Sequence, residues 1–148
     1  MSYYAESLEL TFDPPASTVT RSQGGFGVDD EEVIGRWVEL DADNTLRLLG
    51  IDGRPLGVIT RMSSGKVAVA VGTVVRGKRG TNAVIPVGSR VTGIARQESA
   101  TGTAERGFVG PGKTSAVSDL SRSDGYVTSQ DAASTANTPA GYIDVVMR

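Results

Sequence analysis

Between Gly57 and Gly93 the chain is dominated by residues branched at Cβ. It reads Gly57-Val58-Ile59-Thr60, a polar turn from Met62 to Lys66, then Val67-Ala68-Val69-Ala70-Val71-Gly72-Thr73-Val74-Val75. A basic, glycine-containing link leads on to Val84-Ile85-Pro86-Val87-Gly88-Ser89-Arg90-Val91-Thr92. Two heavy atoms on Cβ stiffen a side chain and suit a pleated surface better than a helix, so all three stretches are predicted strands. From Val67 to Val71 valine alternates with alanine at period two. One face is therefore large and the other small enough for a second layer to approach closely, and a sheet covered on both sides is expected.

At 148 residues the chain has the length of one domain, able to bury about two thirds of the surface it exposes unfolded. With 19 glycines and only 5% aromatic residues, its pattern is short strands with tight connections. It contains no Cys and no His, which removes the usual zinc ligands, the thiol nucleophile and the commonest general base. The expectation is no catalytic residue, no cofactor and no metal site. Only a Ser paired with Lys66, Lys78 or Lys113 would remain as a nucleophilic dyad. The acids at Asp41 and Asp43 do not continue into a calcium loop, because Thr45, Leu46 and Asp52 stand where that loop needs an acid or Asn, a Gly and a late Glu. No apolar run approaches the roughly 20 residues that cross a bilayer, and Met1 to Glu6 lack the basic and apolar regions of a signal peptide. A chain made without secretion and without a membrane partner is expected.

Charge is unevenly placed. Residues 1 to 46 carry a net −8, residues 47 to 113 a net +8 and residues 114 to 148 a net −2. Either the fold brings these signs together within one subunit, or they meet between subunits or on a large partner. Nucleic acid is not expected, since the basic segment has no interleaved aromatics on which bases would stack.

In chain order, Glu6 to Phe12 alternates polar and apolar and places Leu8, Leu10 and Phe12 on one face of a short strand, which Asp13-Pro14-Pro15 stops. Ala16 to Val28 is rich in Ser, Thr, Gly and Gln. Residues 1–28 are thus expected as an N-terminal arm of a short strand plus a polar loop, anchored on a partner by Tyr3, Tyr4 and Phe26. Asp29 to Glu32 opens a helical turn or a solvated loop. Gly35 to Leu40 and Leu46 to Ile51 form a hairpin ended by Asp52-Gly53-Arg54-Pro55. Arg76 to Asn82 is expected as an exposed basic loop, with Arg76, Lys78 and Arg79 in contact with an acidic surface. Residues near 97–123 form a polar insert, with one or two helical turns between Thr114 and Ser123. Gly125-Tyr126-Val127-Thr128 and Gly141 to Met147 echo Gly57 to Thr60 and Gly65 to Val69, as one hairpin plan used twice with a longer insertion at Ser129 to Ala140.

Gly107-Phe108-Val109-Gly110-Pro111-Gly112-Lys113-Thr114 matches G-x-x-x-x-G-K-[ST] letter for letter. A phosphate cradle needs free backbone N–H groups between a buried strand and a helix. Here the preceding Ala100 to Arg106 is not an apolar strand, Pro111 removes a donor, and no parallel αβ repeats follow. Nucleotide binding is the weakest of the alternatives.

Gly35-Arg36-Trp37-Val38-Glu39-Leu40 with its Asp/Asn turn, Pro55 to Ile59, Gly65 to Val71, Ile85 to Val91 and Ala140 to Val146 together resemble the small β-barrel capsid decoration, or cement, proteins of tailed bacteriophages. The resemblance runs from about Gly35 to Arg148 and implies a non-catalytic structural protein on the outer surface of the virion head, made in the host cytoplasm. Its implied partners are the major capsid protein and other copies of itself, a trimer before a dimer. The polar insert and the N-terminal arm depart from that pattern. The expected fold is therefore mainly β, a single small β-barrel or β-sandwich body over 29–148, with the arm and at most one or two short helices. The expected capsid or subunit interface comprises Tyr3, Tyr4, Leu8, Leu10, Phe12, Phe26, Arg76, Lys78 and Arg79. A carbohydrate- or receptor-binding β domain is the alternative.

Overall fold

The branched residues do form strands, and alternation sends their side chains to two different cores. The computed structural model describes residues 7–42, 44–72, 74–112 and 125–147. Among these the strands in chain order are β1 (Ser7–Phe12), β2 (Trp37–Ala42), β3 (Thr45–Leu48), β4 (Gly57–Ser63), β5 (Lys66–Gly72), β6 (Val74–Lys78), β7 (Arg90–Arg96), β8 (Glu105–Pro111), β9 (Gly125–Gln130) and β10 (Tyr142–Met147). Helical structure among the described residues is confined to two three-residue 3-10 turns, Arg21–Gln23 and Glu31–Val33. The protein is mainly β, built of two antiparallel sheets.

The first sheet has the order β1-β5-β4-β2-β3 and the second β6-β10-β9-β7-β8. These are the same order, offset by five strands. Each sheet is also drawn together by one parallel bridge between its first and third strands, Asp13 to Thr45 in the first and Arg79 to Val109 in the second. In the first sheet this bridge curls the strands into a half-barrel. The twofold hairpin plan read from the sequence corresponds to β4–β5 and β9–β10, the fourth and fifth strands of each set. The β4–β5 turn places Ser64 at φ +54° and Gly65 at φ +72°, the doubly left-handed backbone of a type I′ hairpin.

The first sheet is apolar on both faces. Val38, Ile59, Val67 and Val69 point into the half-barrel, with Phe12, Leu46, Leu48, Phe26 and Val33. Trp37 and Val58, the neighbours of Val38 and Ile59, point the other way and meet Val75, Val91, Val109, Val127, Ile143 and Val145 of the second sheet, with Ala70 packed against the same cluster. Trp37 is fully buried and its indole Nε1 donates to the Lys78 carbonyl at 3.1 Å. Gly77 makes room for it: a Cβ there would lie 2.5 Å from the Trp37 ring. On the outer face of β5, the small Ala68 and Ala70 stand opposite Thr11 and Glu9 of β1. Over them Glu9 reaches across to Thr60 at 2.8 Å and Arg61 at 2.6 Å.

Several expectations are corrected. From Ser7 onward the segment read as an arm belongs to the body. β1 pairs along its whole length with β5, and Phe12 and Phe26 are core residues. The polar stretch after Pro15 is largely exposed and closed by its own turns, and it is tied to the sheet where Leu48 N donates to Gly24 O and, further on, Gly35 N to Ile59 O. Its two well-placed apolar side chains, Phe26 and Val33, then cover the half-barrel. Residues 84–89 are not strand. Pro86 lacks a donor and Gly88 sits at φ +86°, so β7 starts only at Arg90. The Gln130 side chain satisfies both the N–H and the carbonyl of the loop residue Ile85. Val74–Lys78 is strand, so the basic loop is not an exposed tip. Glu105–Pro111 is strand inside the stretch read as an insert, and the turns expected between Thr114 and Ser123 lie outside the described residues.

Replacing Gly77 by Ala is expected to cost about 1–3 kcal/mol of stability, the range for overpacking a filled core, measured as a lowered urea midpoint at unchanged slope.

Candidate functional site

The opposite charges of the sequence meet within the subunit. Acids of the first segment pair with cations of the second: Glu9 with Arg61, Asp13 with Lys66, Glu39 with Arg47 at 3.3 Å and Arg106 at 3.5 Å, and Asp41 with Arg47 at 3.3 Å. Arg76 is answered by Asp131 at 2.8 Å and Asp144 at 3.0 Å. Exposed pairs of this kind add little stability each, about 0–1 kcal/mol. Their consequence is that most of the uneven charge is neutralised internally and does not face a partner.

The expected interface residues separate into three groups. Tyr3 and Tyr4 lie outside the described residues. Phe12 and Phe26 are buried in the half-barrel and Arg79 is 0% exposed, so these three side chains do not reach a partner. Arg79 is instead a tie between loops, donating to the carbonyls of Thr81 (2.9 Å), Asp131 (2.6 Å), Ala132 (2.8 Å) and Ala140 (2.5 Å). A guanidinium with five N–H groups is the side chain best able to close so many backbone acceptors at once. Leu8, Leu10, Arg76 and Lys78 remain accessible. Leu8 is 67% and Leu10 43% exposed, both on β1 at the edge of the first sheet.

Lys78 ends β6 at the floor of a cleft of about 260 Å³ lined also by Glu32, Arg36, Glu98, Thr103 and Glu105. Together with Glu98 it also lines an adjoining cavity of about 210 Å³ that reaches Tyr142. Gly35 packs tightly against this corner. It sits at φ +91°, and a Cβ there would fall 3.1 Å from the Tyr142 hydroxyl and 3.4 Å from Lys78 Cε. Burial pulls the Lys78 ammonium below the ordinary lysine range, partly offset by the Glu98 charge. Each carboxylate of the cleft has a guanidinium in contact: Glu105 with Arg36 at 2.7 Å and Arg21 at 2.8 Å, Glu32 with Arg21 at 2.7 Å, Glu98 with Arg96 at 3.6 Å. Burial would raise the Glu105 carboxyl, but hydrogen bonds from Arg36 and Arg21 outweigh it and hold the group below its usual value. Arg36 itself lies 4.9 Å over the Phe108 ring, which supports it from the apolar side.

The nucleotide-loop match carries no cradle over its described part. Gly107 to Pro111 is β8, Gly107 N donates to Leu49 O at 3.1 Å and Gly112 N to Arg90 O at 2.7 Å, so these donors are taken. Lys113 and Thr114 lie outside the described residues. Ser63 and Lys66 have the Ser-x-x-Lys spacing of a nucleophilic dyad. It falls on the β4–β5 turn, where exposed Lys66 is paired with Asp13. Tyr142 and Tyr126, the rings a sugar would need, are covered by Arg76 at 5.4 Å and Arg90 at 5.6 Å. Among the described residues, no three acids gather to hold a metal. Glu98, Glu105, Arg36 and Gly35 were not singled out as site residues. The one signal available was that Glu98 and Glu105 are two of only three acids in the basic middle of the chain.

Because the folded Glu105 carboxyl is held low, its contribution is complete above the unfolded value of about 4.3 and is lost as pH falls through the folded value. Glu105→Gln leaves the buried Arg36 with a weaker acceptor and is expected to cost about 1–3 kcal/mol at pH 7. It should also flatten the fall of melting temperature on acidification, as followed by circular dichroism.

Comparison with known proteins does not place the chain: no family model matches it, and neither a curated protein nor a solved structure is similar to it.

Proposed function

We propose that the protein is a structural adhesive module, a capsid decoration protein that binds the outer surface of a phage head and stiffens it by bridging capsomers. The observation that carries this reading is the free edge of β1. Its six residues pair with β5 on one side, and among the described residues the other side is engaged only beyond its end, at Asp13. Soluble proteins blunt such edges with lysine, proline or a bulge. β1 instead presents Leu8 and Leu10 to solvent and holds its one acid, Glu9, against Arg61. An unguarded apolar edge suits a strand that is covered in an assembly, by backbone pairing with an extended segment of the shell protein. Repetition around symmetry axes then multiplies a modest contact into firm attachment. The internally paired charges and the tyrosine rings faced by arginines favour this passive role over a sugar-binding one.

Deleting residues 2–28 is not a usable test, because it removes Phe12 and Phe26 from the core. The double variant Leu8→Ser, Leu10→Ser changes one largely exposed and one partly exposed side chain and is expected to keep the fold at a cost of about 1 kcal/mol in stability. It should weaken sedimentation with decoration-free heads by tenfold or more. Parental attachment by this variant, or no attachment by the unaltered protein, would overturn the proposal. Light scattering on the free protein is expected to give a trimer.

A further inference from the structure

The cleft at Lys78 contains a cation without a counter-charge in contact. Glu32, Glu98 and Glu105 each touch a guanidinium, whereas Lys78 makes no ion pair within 4 Å among the described residues. A half-buried ammonium left in this state has lost part of its hydration and gained no contact ion in return. The arrangement is incomplete in a specific way. Lys78 and Tyr142 both line the cavity of about 210 Å³, so a phenol and a lysine side chain border one space. Thr103 lines the same cleft and adds a hydroxyl donor.

We infer that this corner is a binding site for a single carboxylate, with Lys78 as its charge partner and Tyr142 as a neutral donor. A carboxylate is flat, carries one charge spread over two oxygens and accepts from two donors at once. Each neighbouring acid has a guanidinium in contact, Arg36 and Arg21 for Glu105, Arg21 for Glu32 and Arg96 for Glu98, which lessens their repulsion of an incoming anion, although Arg21 is shared with Asp30 as well. Two adjoining spaces of about 260 and 210 Å³ admit a side chain or a small organic acid but not a large ligand. Two sources supply such a carboxylate, a free acid and a glutamate or aspartate of another protein. The site stands on its own geometry and does not depend on the role proposed for β1.

The chain has three lysines, Lys66, Lys78 and Lys113, so reductive methylation with carbon-13 yields a spectrum simple enough to follow each ammonium, with Lys78→Arg assigning its signal. Sodium acetate and a capped glutamate peptide would be titrated separately against sodium chloride of equal ionic strength. A saturable movement of the Lys78 signal with carboxylate and not with chloride is expected, while exposed Lys66 follows ionic strength alone. Saturation by acetate identifies a site for free acids, and saturation by the peptide alone identifies one for an acidic side chain. Tyr142→Phe, which removes only the hydroxyl, is expected to weaken either by about fivefold. A Lys78 signal that responds to both carboxylates no more than to chloride, or an affinity unchanged in Tyr142→Phe, would overturn the assignment.

Discussion

The structure depends on one sheet being apolar on both faces. Consecutive residues in β2 and β4, Trp37 and Val38, Val58 and Ile59, serve two different cores. That arrangement makes the first sheet the middle layer, between the segment carrying Phe26 and Val33 and the second sheet. A chain of this length with so few aromatic residues has little other way to bury enough apolar area. It also fixes where close approach is required. Gly77 exists to admit the Trp37 ring, and β5 carries Ala where Val would block the passage of Glu9 toward Arg61.

The second consequence of the layered plan is duplication. Both sheets use the same strand order and the same parallel bridge from first to third strand. The bridge residues, however, are treated in opposite ways. In the first set Asp13 is paired with Lys66 at the surface. In the second set Arg79 is buried and ties down Thr81, Asp131, Ala132 and Ala140. The loop between β9 and β10 is long, and a buried guanidinium satisfies the carbonyls that such a loop brings inside. The shorter β4–β5 turn, closed by Ser64 and Gly65, needs no such residue.

The strands were legible where branched residues alternate, because period two survives in the sequence whatever the partner strand. Val67 to Val71 announced both faces of β5, and the echo of Gly57 to Val69 near the C-terminus announced the repeat. What misled was polarity. Ala16 to Val28 reads as an arm because few of its side chains are apolar, yet its backbone is tied to the sheet where Leu48 N donates to Gly24 O, which no composition reveals. Arg79 was read as exposed because arginine usually is, and the carbonyls that bury it come from about fifty and sixty residues away. The Lys78 cleft draws on β6, β8 and β10, the segment around Glu32 to Arg36, and Glu98. Nothing in local spacing joins them.

Internal pairing limits what such a molecule can do. Charges from the acidic and basic parts of the chain cancel on the body, the ring faces of Tyr126 and Tyr142 are occupied by arginines, and the donors of Gly107 and Gly112 are consumed by neighbouring backbone. A surface so thoroughly satisfied offers a partner few handles, and two that remain are different in kind. The β1 edge offers backbone that is unpaired among the described residues, with leucine side chains, which recognise shape and extension but little sequence. The Lys78 corner offers one partly desolvated charge, which discriminates strongly between an anion and anything else. An apolar edge supplies area and a buried lysine supplies selectivity. Both sit on strands of a packed frame, so neither needs to be ordered at the moment of a contact.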